Sequence, residues 1–313
     1  MITLNEDAYA LTEQMQAHAT RHRVGVSTIG GSTFMDCGVN YPGGLEAGRM
    51  MAEVCLAGRG EVRLVPSPIA EVPGPAVQVQ SDDPVLACMA SQYAGWQISS
   101  GRYFAMGSGP MRAAYAKEKV FADLNYRENP PVAVGVLETR RLPTEEIVTY
   151  LAQRVRLAPE KLTLLAAPCP SIAGTVQVVA RSLETALHKM HEIGFDLKKV
   201  VSGYGVAPLP PVAYDEIVAI GRTNDAILYG GMVTVWLREE DEKLAALGPK
   251  VPSSASSDHG APFSEIFERA GRDFYKIDKH LFSPALITLV NLKSGRRYVF
   301  GRLEPEVLRK SFG

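Results

Sequence analysis

Long apolar runs are missing from this 313-residue chain. No stretch approaches the roughly 20 apolar residues that cross a bilayer as a helix, so no membrane span is expected. A basic excess is missing too: 33 Lys and Arg stand against 34 Asp and Glu, a net charge of −1. Without a positive field there is nothing to recruit nucleic acid or an anionic membrane. Cysteine is scarce. Cys37, Cys55, Cys88 and Cys169 lie far apart with no CxxC pair, which argues against a zinc ribbon and against a disulfide framework. They read as four buried free thiols of a cytoplasmic protein. The opening MITLNEDAYALTEQMQ lacks the basic-then-apolar order of a signal peptide. No P-loop, dinucleotide fingerprint, GxSxG elbow or HExxH occurs. There is no repeat of fixed period and no low-complexity tract.

What is present is ordinary globular composition, 46% apolar and 21% charged, over a length natural for two domains. Ala8, Leu11, Met15 and His18 predict a helix opening near Asn5 and two acids. RVGVSTIGGSTFMDCGVN predicts two strands around a Gly-Gly turn. GGLEAGRMMAEVCLAG predicts a helix closed by Gly58 and Gly60. ACMASQYAGWQI and PFSEIFERAG predict further helices, and TEEIVTYLAQRVRL opens on Thr144 as N-cap. KLTLLAAP and MVTVWL predict strands, and KSG joins a last strand pair, ALITLVNL and RRYVFGRL. Residues 238–261, charged and then Ser-rich, read as a mobile loop. The elements intermix without a regular β-α rhythm, which predicts an α/β (α+β) protein. Pro130–Pro131 suggests a boundary: a first domain over 1–130 and a second over 131–313, with room for C-terminal segments to return to the first.

The stretch SIAGTVQVVARSLETALHKMHEIG, from Ser171, predicts one long amphipathic helix. Ile172, Val176, Val179, Leu183, Leu187 and Met190 form its apolar stripe. Gln177, Arg181, Glu184, His188 and His191 lie roughly opposite. Three readings stay open: a solvated face with an i,i+3 ion pair, a metal site on His188 and His191 that lacks a third ligand, or a catalytic Arg–Glu pair. The small and β-branched residues of IAGTVQVVA favour an embedded helix, and an embedded Arg and Glu must pair or serve a pocket. Several loops are candidate ligand contacts: GSGP with Arg112 as an anion nest or a structural turn, SGYGVAPLPP after a strand, GRTNDAILYGG with Arg222, and SSASSDHG as a lid or a surface loop.

A set of stretches, in order along nearly the whole chain, carries a resemblance. They include NEDAYALTEQM, GLEAGRMMAEVCLAG, ASQYAGWQ, FAMGSGPMRA, SIAGTVQVVARSLETALHKMHEIGFDL, VSGYGVAPLPPVA, GRTNDAILYGG, VPSSASSDHGAPFSEIF and DFYKIDKHLFSPA. Together they resemble the methenyltetrahydromethanopterin cyclohydrolases. The resemblance implies two α/β domains with a pocket between them, a homotrimer, and a hydrolase acting on a cyclic amidine C–N bond. It implies interconversion of the methenyl and N5-formyl forms of tetrahydromethanopterin or a close analogue, with no metal and no redox cofactor. The pterin is then the small-molecule partner, with no nucleic acid and no membrane. The resemblance places the catalytic pair at Arg181 and Glu184, Glu184 as base on water and Arg181 orienting it. Candidate substrate contacts are Ser91, Gln92, Tyr93, Ser108, Tyr204, Asn224, Asp225 and Ser283. Rival readings are another pterin one-carbon enzyme, such as a formyltransferase, and a non-catalytic pterin-binding protein.

Overall fold

In the computed structural model, which describes residues 3–273 and 276–313, the chain folds as two units. The first runs to Gly60 and resumes from Leu86 to Gln177; the second takes Glu61–Val85 and Val178–Gly313. The division does not fall at Pro130–Pro131, which lie inside the first unit just before a strand. Proline lacks an N–H and suits a strand entry as well as a linker. Strand pairing defines the units instead.

In chain order the strands are β1 (Gly25–Ile29), β2 (Ser32–Asp36), β3 (Glu61–Pro66), β4 (Pro75–Ser81), β5 (Trp96–Ser100) and β6 (Tyr103–Ser108). They continue with β7 (Ala133–Glu138), β8 (Leu162–Ala167), β9 (Val200–Pro208), β10 (Met232–Leu237), β11 (Leu286–Asn291) and β12 (Arg297–Gly301). The first unit's sheet has the order β1-β2-β8-β7-β6-β5. β8 runs parallel to β2 and β7, and the other pairs are antiparallel. Gly30 and Gly31 both adopt positive φ, 55° and 91°, as a two-residue hairpin turn demands. β7 and β8 are buried almost throughout, so helices must cover both faces. Helices α1 (Leu4–Ala17) and α2 (Leu45–Cys55) pack on β7. Helix α3 (Glu145–Val155), capped by Thr144 on the N–H of Ile147, brings Ile147, Leu151 and Val155 into one core with Phe34, Leu137 and Leu164. Leu137 and Val136 point to opposite faces, as adjacent strand residues do. ACMASQYAGWQI is only partly helical: a π-helix ends at Gln92, and Trp96 begins β5.

Helix α4 (Ile172–Val179) carries the chain out of the first unit, and α5 (Ser182–Glu192) lies in the second. The second sheet has the order β12-β11-β10-β9-β4-β3, parallel only between β10 and β11. α5 packs against β4, β9 and β10. A separate apolar cluster joins α6 (Glu216–Leu228), α7 (Phe263–Arg269) and α8 (Pro305–Phe312) through Leu228, Tyr229, Phe263, Ile266 and Leu308. Asp225 fastens these three helices: its buried carboxylate accepts from the N–H of Phe263 at 2.8 Å and the hydroxyl of Ser311 at 2.6 Å.

Burial pushes the Asp225 carboxyl up from 3.8 to about 7, against the pull of those two bonds. The folded chain therefore holds an extra proton between these values, and this group's stability contribution falls as pH rises across that window. Asp225→Asn keeps an acceptor for Phe263 and removes the charge. The thermal midpoint should thus drop more between about pH 5 and about pH 7.5 in the wild type than in Asp225→Asn. Parallel curves for the two proteins would contradict this.

Residues 238–261 are not a mobile loop. They contain the helix Asp241–Leu247, and their serines donate into neighbouring structure. Ser253 Oγ reaches the carbonyl of Leu228 at 2.5 Å, and Ser256 Oγ reaches Asp278 at 2.7 Å. Tyr229 OH donates to the carbonyl of Ala261 at 2.5 Å. A Ser-rich run looks flexible in sequence, but short hydroxyls also satisfy buried carbonyls at little entropic cost.

Candidate active site

The helix expected from 171 to 194 is two helices. Its first part forms as the small residues predict. Ser171 Oγ accepts from the N–H of Gly174 at 3.0 Å, and Thr175 Oγ1 donates to the carbonyl of Cys169 at 3.1 Å. A side chain on Gly174 would strike the carbonyl of Pro168, and one on Gly48 of α2 would strike Val176 and Ala173. Ile172, at the head of the expected apolar stripe, is 37% exposed, whereas Val176, Val179, Leu183, Leu187 and Met190 are fully buried.

The helix breaks at Ala180–Arg181. Arg181 has φ −88° and ψ 7° and is the N-cap of α5, without a side-chain cap bond. The second helix starts flush against the second sheet. A Cβ on Gly203 would come within 2.6 Å of Leu183, and one on Gly205 within 2.5 Å of Ser182 Oγ. Two glycines spaced by two share one strand face, so the SGYG stretch is a seat for α5, and Tyr204 lies on the other face, half-buried.

At this seat Arg181 and Glu184 are 7% and 5% exposed. Residues three apart at a helix start are neighbours. Glu184 also lies in the first turn, where unsatisfied N–H groups favour an anion. Both a guanidinium and a carboxylate are thus held out of bulk water at the start of one helix. His188 and His191 are half-buried further along. Both act on Glu192, whose carboxyl is held below its usual range first by its bond to Lys279 and to a lesser extent by the two imidazoles. Among the described residues, no group of three or more His, Cys, Asp or Glu is placed to hold a metal.

The remaining candidates fall into both units. In the first, Ser91 and Gln92 are buried at the end of the π-helix Val85–Gln92. Ser91 Oγ donates to the carbonyl of Cys55 at 2.6 Å. Ser108 Oγ donates to the carbonyl of Val136 at 3.3 Å and lies 3.3 Å from Cys55 Sγ. Arg112 is fully buried and bonds Glu118 twice, at 2.8 and 2.6 Å, and the carbonyls of Met89 and Ser91 at 3.1 Å. Tyr93 covers its guanidinium at 5.0 Å. With its donors so engaged, Arg112 makes GSGP a structural turn rather than an anion nest. In the second unit, Asn224 Nδ2 donates to the carbonyl of Ile220 at 2.8 Å, and Ser283 Oγ to that of Val251 at 2.6 Å. Asp225 joins three helices, as described above. Lys189 was not among the candidates. It is 2% exposed, yet in HKMHE it reads as one more surface charge.

A family model described as Cyclohydrolase (MCH) matches residues 3–312. The chain belongs to this family. A member from Methylobacterium sp. strain 4-46 is 47% identical, covering 99% of this chain and 97% of its own. One from Rhodopirellula baltica is 47% identical over 91% of this chain and 87% of its own. One from Methanococcoides burtonii is 41% identical over 100% and 99%. All three are named methenyltetrahydromethanopterin cyclohydrolase. The cyclohydrolase match spans both units and bears out the resemblance seen in the sequence. All four cysteines are buried and none is in a disulfide, and among the described residues no helix is long and apolar enough to cross a membrane.

Proposed function

We propose that this chain interconverts the cationic methenyl and the N5-formyl forms of a tetrahydromethanopterin, with Glu184 as general base and Arg181 as its orienting partner. Water attacks the carbon bridging N5 and N10. As the C–O bond forms the water becomes acidic, and Glu184 takes its proton. The carboxylate also complements the positive amidinium, a preplaced charge that needs no rearrangement during reaction. The tetrahedral intermediate then collapses: its hydroxyl loses a proton, the C–N10 bond breaks, N10 is protonated, and the formyl group stays on N5. Arg181 favours the charged form of Glu184 and opposes the effect of burial.

The observation that carries the residue assignment is the burial of Arg181 and Glu184 together at the first turn of a helix seated on Gly203 and Gly205. Burying one charge alone costs several kcal/mol, so the two are best explained as a working pair. Family membership supports the substrate class. The eight further candidates remain proposed pterin contacts. For Ser91, Ser108, Asn224, Asp225 and Ser283, whose side chains also bind within their own unit, that contact would be made in addition to a structural bond.

The reaction as written needs neither a metal nor a redox cofactor. Activity should therefore survive exhaustive chelation; activity lost on chelation and restored by one metal would contradict the scheme. The proposed assembly is a homotrimer in the cytoplasm. Light scattering at working concentration should return three chain masses, and a monomeric mass would refute the trimer.

A further inference from the structure

Lys189 presents a buried ammonium on α5 that the scheme above does not use. Its Nζ donates to the carbonyl of His280 at 2.5 Å. The charged group acting on it is Asp278. Asp278 is itself fixed: its carboxylate accepts from the N–H of His280 at 3.0 Å and from Ser256 Oγ at 2.7 Å, and its N–H donates to Asp258 at 2.7 Å. The pinned segment is the short turn Lys279–Leu281, capped by Asp278. Burial brings the Lys189 ammonium down to about 8, and Asp278 partly opposes this. Because that value lies below the unfolded one, the charged lysine destabilises the fold at neutral pH, and the penalty lifts only as pH rises through about 8. A methionine would fill similar volume without desolvating a charge. Groups held at such a cost cluster at functional sites.

We propose that Lys189 is a positioning residue: it pins α5, the helix carrying Arg181 and Glu184, to the turn at Asp278–Leu281 and so fixes where the carboxylate meets water. This rests on the reading of Glu184 given above. A displacement of about 1 Å in a reacting group is enough to cost orders of magnitude in rate. The charged group set against Lys189 is Asp278, with Asp258 behind it; His280 follows on the turn, and His188 and Glu192 are titratable residues near it along α5, Glu192 paired with Lys279 at 2.5 Å.

The test compares wild type, Lys189→Met and Asp278→Asn for melting, kcat, KM and pH profile with the methenyl pterin. Lys189→Met should melt within a few degrees of wild type or above it, yet lose at least about tenfold in kcat with little change in KM. A lysine that only supports the fold would lower the melting point and leave kcat alone, and that result overturns the proposal. Wild-type kcat should fall above about pH 8 as Lys189 is neutralised. Asp278→Asn should move that limb to lower pH, because the ammonium loses its counter-charge. If Lys189→Met does not fold, an unmoved limb in Asp278→Asn overturns the proposal. If wild type itself does not discharge the substrate, the cyclohydrolase reading fails, and hydrogen exchange decides this inference alone. The amides of α5 should exchange faster in Lys189→Met, and equal exchange overturns it.

Discussion

Glu184→Gln should give a folded protein whose turnover is lower by about 10² to 10⁴-fold or more. The amide keeps the carboxylate's shape and most of its hydrogen bonding but cannot accept a proton at neutral pH. The loss of attraction for the amidinium deepens the defect. Arg181→Gln should also fall strongly, since Glu184 would stand in a buried site without its partner and take up a proton. Because the two act as a unit, the double variant should be less impaired than the product of the single defects. His188→Gln, beside Glu192, should do far less. Methenyl absorbance decay measures each variant, with circular dichroism as the folding control. Near-wild-type turnover in folded Glu184→Gln would return this face of the helix to a structural role.

The largest stability effect should come from Arg112→Met in the first unit. The side chain is fully buried, paired with a Glu118 that is 17% exposed, and bonded to two backbone carbonyls. Methionine fills the space but leaves the carboxylate and both carbonyls without those donors. Breaking a buried pair from one side costs about 3–5 kcal/mol, or on the order of 10 °C in the midpoint for a unit of this size. Neutralising the partner as well, in Arg112→Met with Glu118→Gln, should recover part of the loss. A single variant that melts with the wild type would show that the pair contributes nothing net.

Much of the fold is legible because the signal is local. Thr144 before two acids gives a real N-cap. Gly30–Gly31 between alternating residues gives a real hairpin, since only glycine takes positive φ twice without strain. LTLLAA, apolar but for Thr163, is a central strand buried on both faces. The break at Ala180–Arg181 is not legible. Val176, Val179, Leu183 and Leu187 keep helical phase across it, and neither glycine nor proline marks it. The reason for the break is tertiary: α5 must start against Gly203 and Gly205, residues more than twenty positions away. The domain boundary is hidden for a similar cause. The hairpin β3–β4 leaves the first unit to pair with β9, and no composition change announces that.

The candidate site is legible in part. Residue types and spacing single out Arg181 and Glu184 as a row, but pattern alone leaves that row open to solvent, metal or catalysis. Burial adds what spacing lacks: both side chains are enclosed. Ser91, Ser108 and Ser283 show the converse. Their loops suggest ligand contacts, yet their hydroxyls bond carbonyls distant in sequence, at Cys55, Val136 and Val251. Lys189 is hidden for the same reason as the break, since the carbonyl that holds it, that of His280, lies 91 positions away.

One measurement tests the central claim most directly. The purified protein is mixed with the methenyl pterin in buffer, with no acceptor added, and the methenyl absorbance is followed. Discharge by water alone, with N5-formyl pterin as the product, is the result predicted. A chromophore that persists until a formyl acceptor is supplied, or that stays bound and intact, would contradict it.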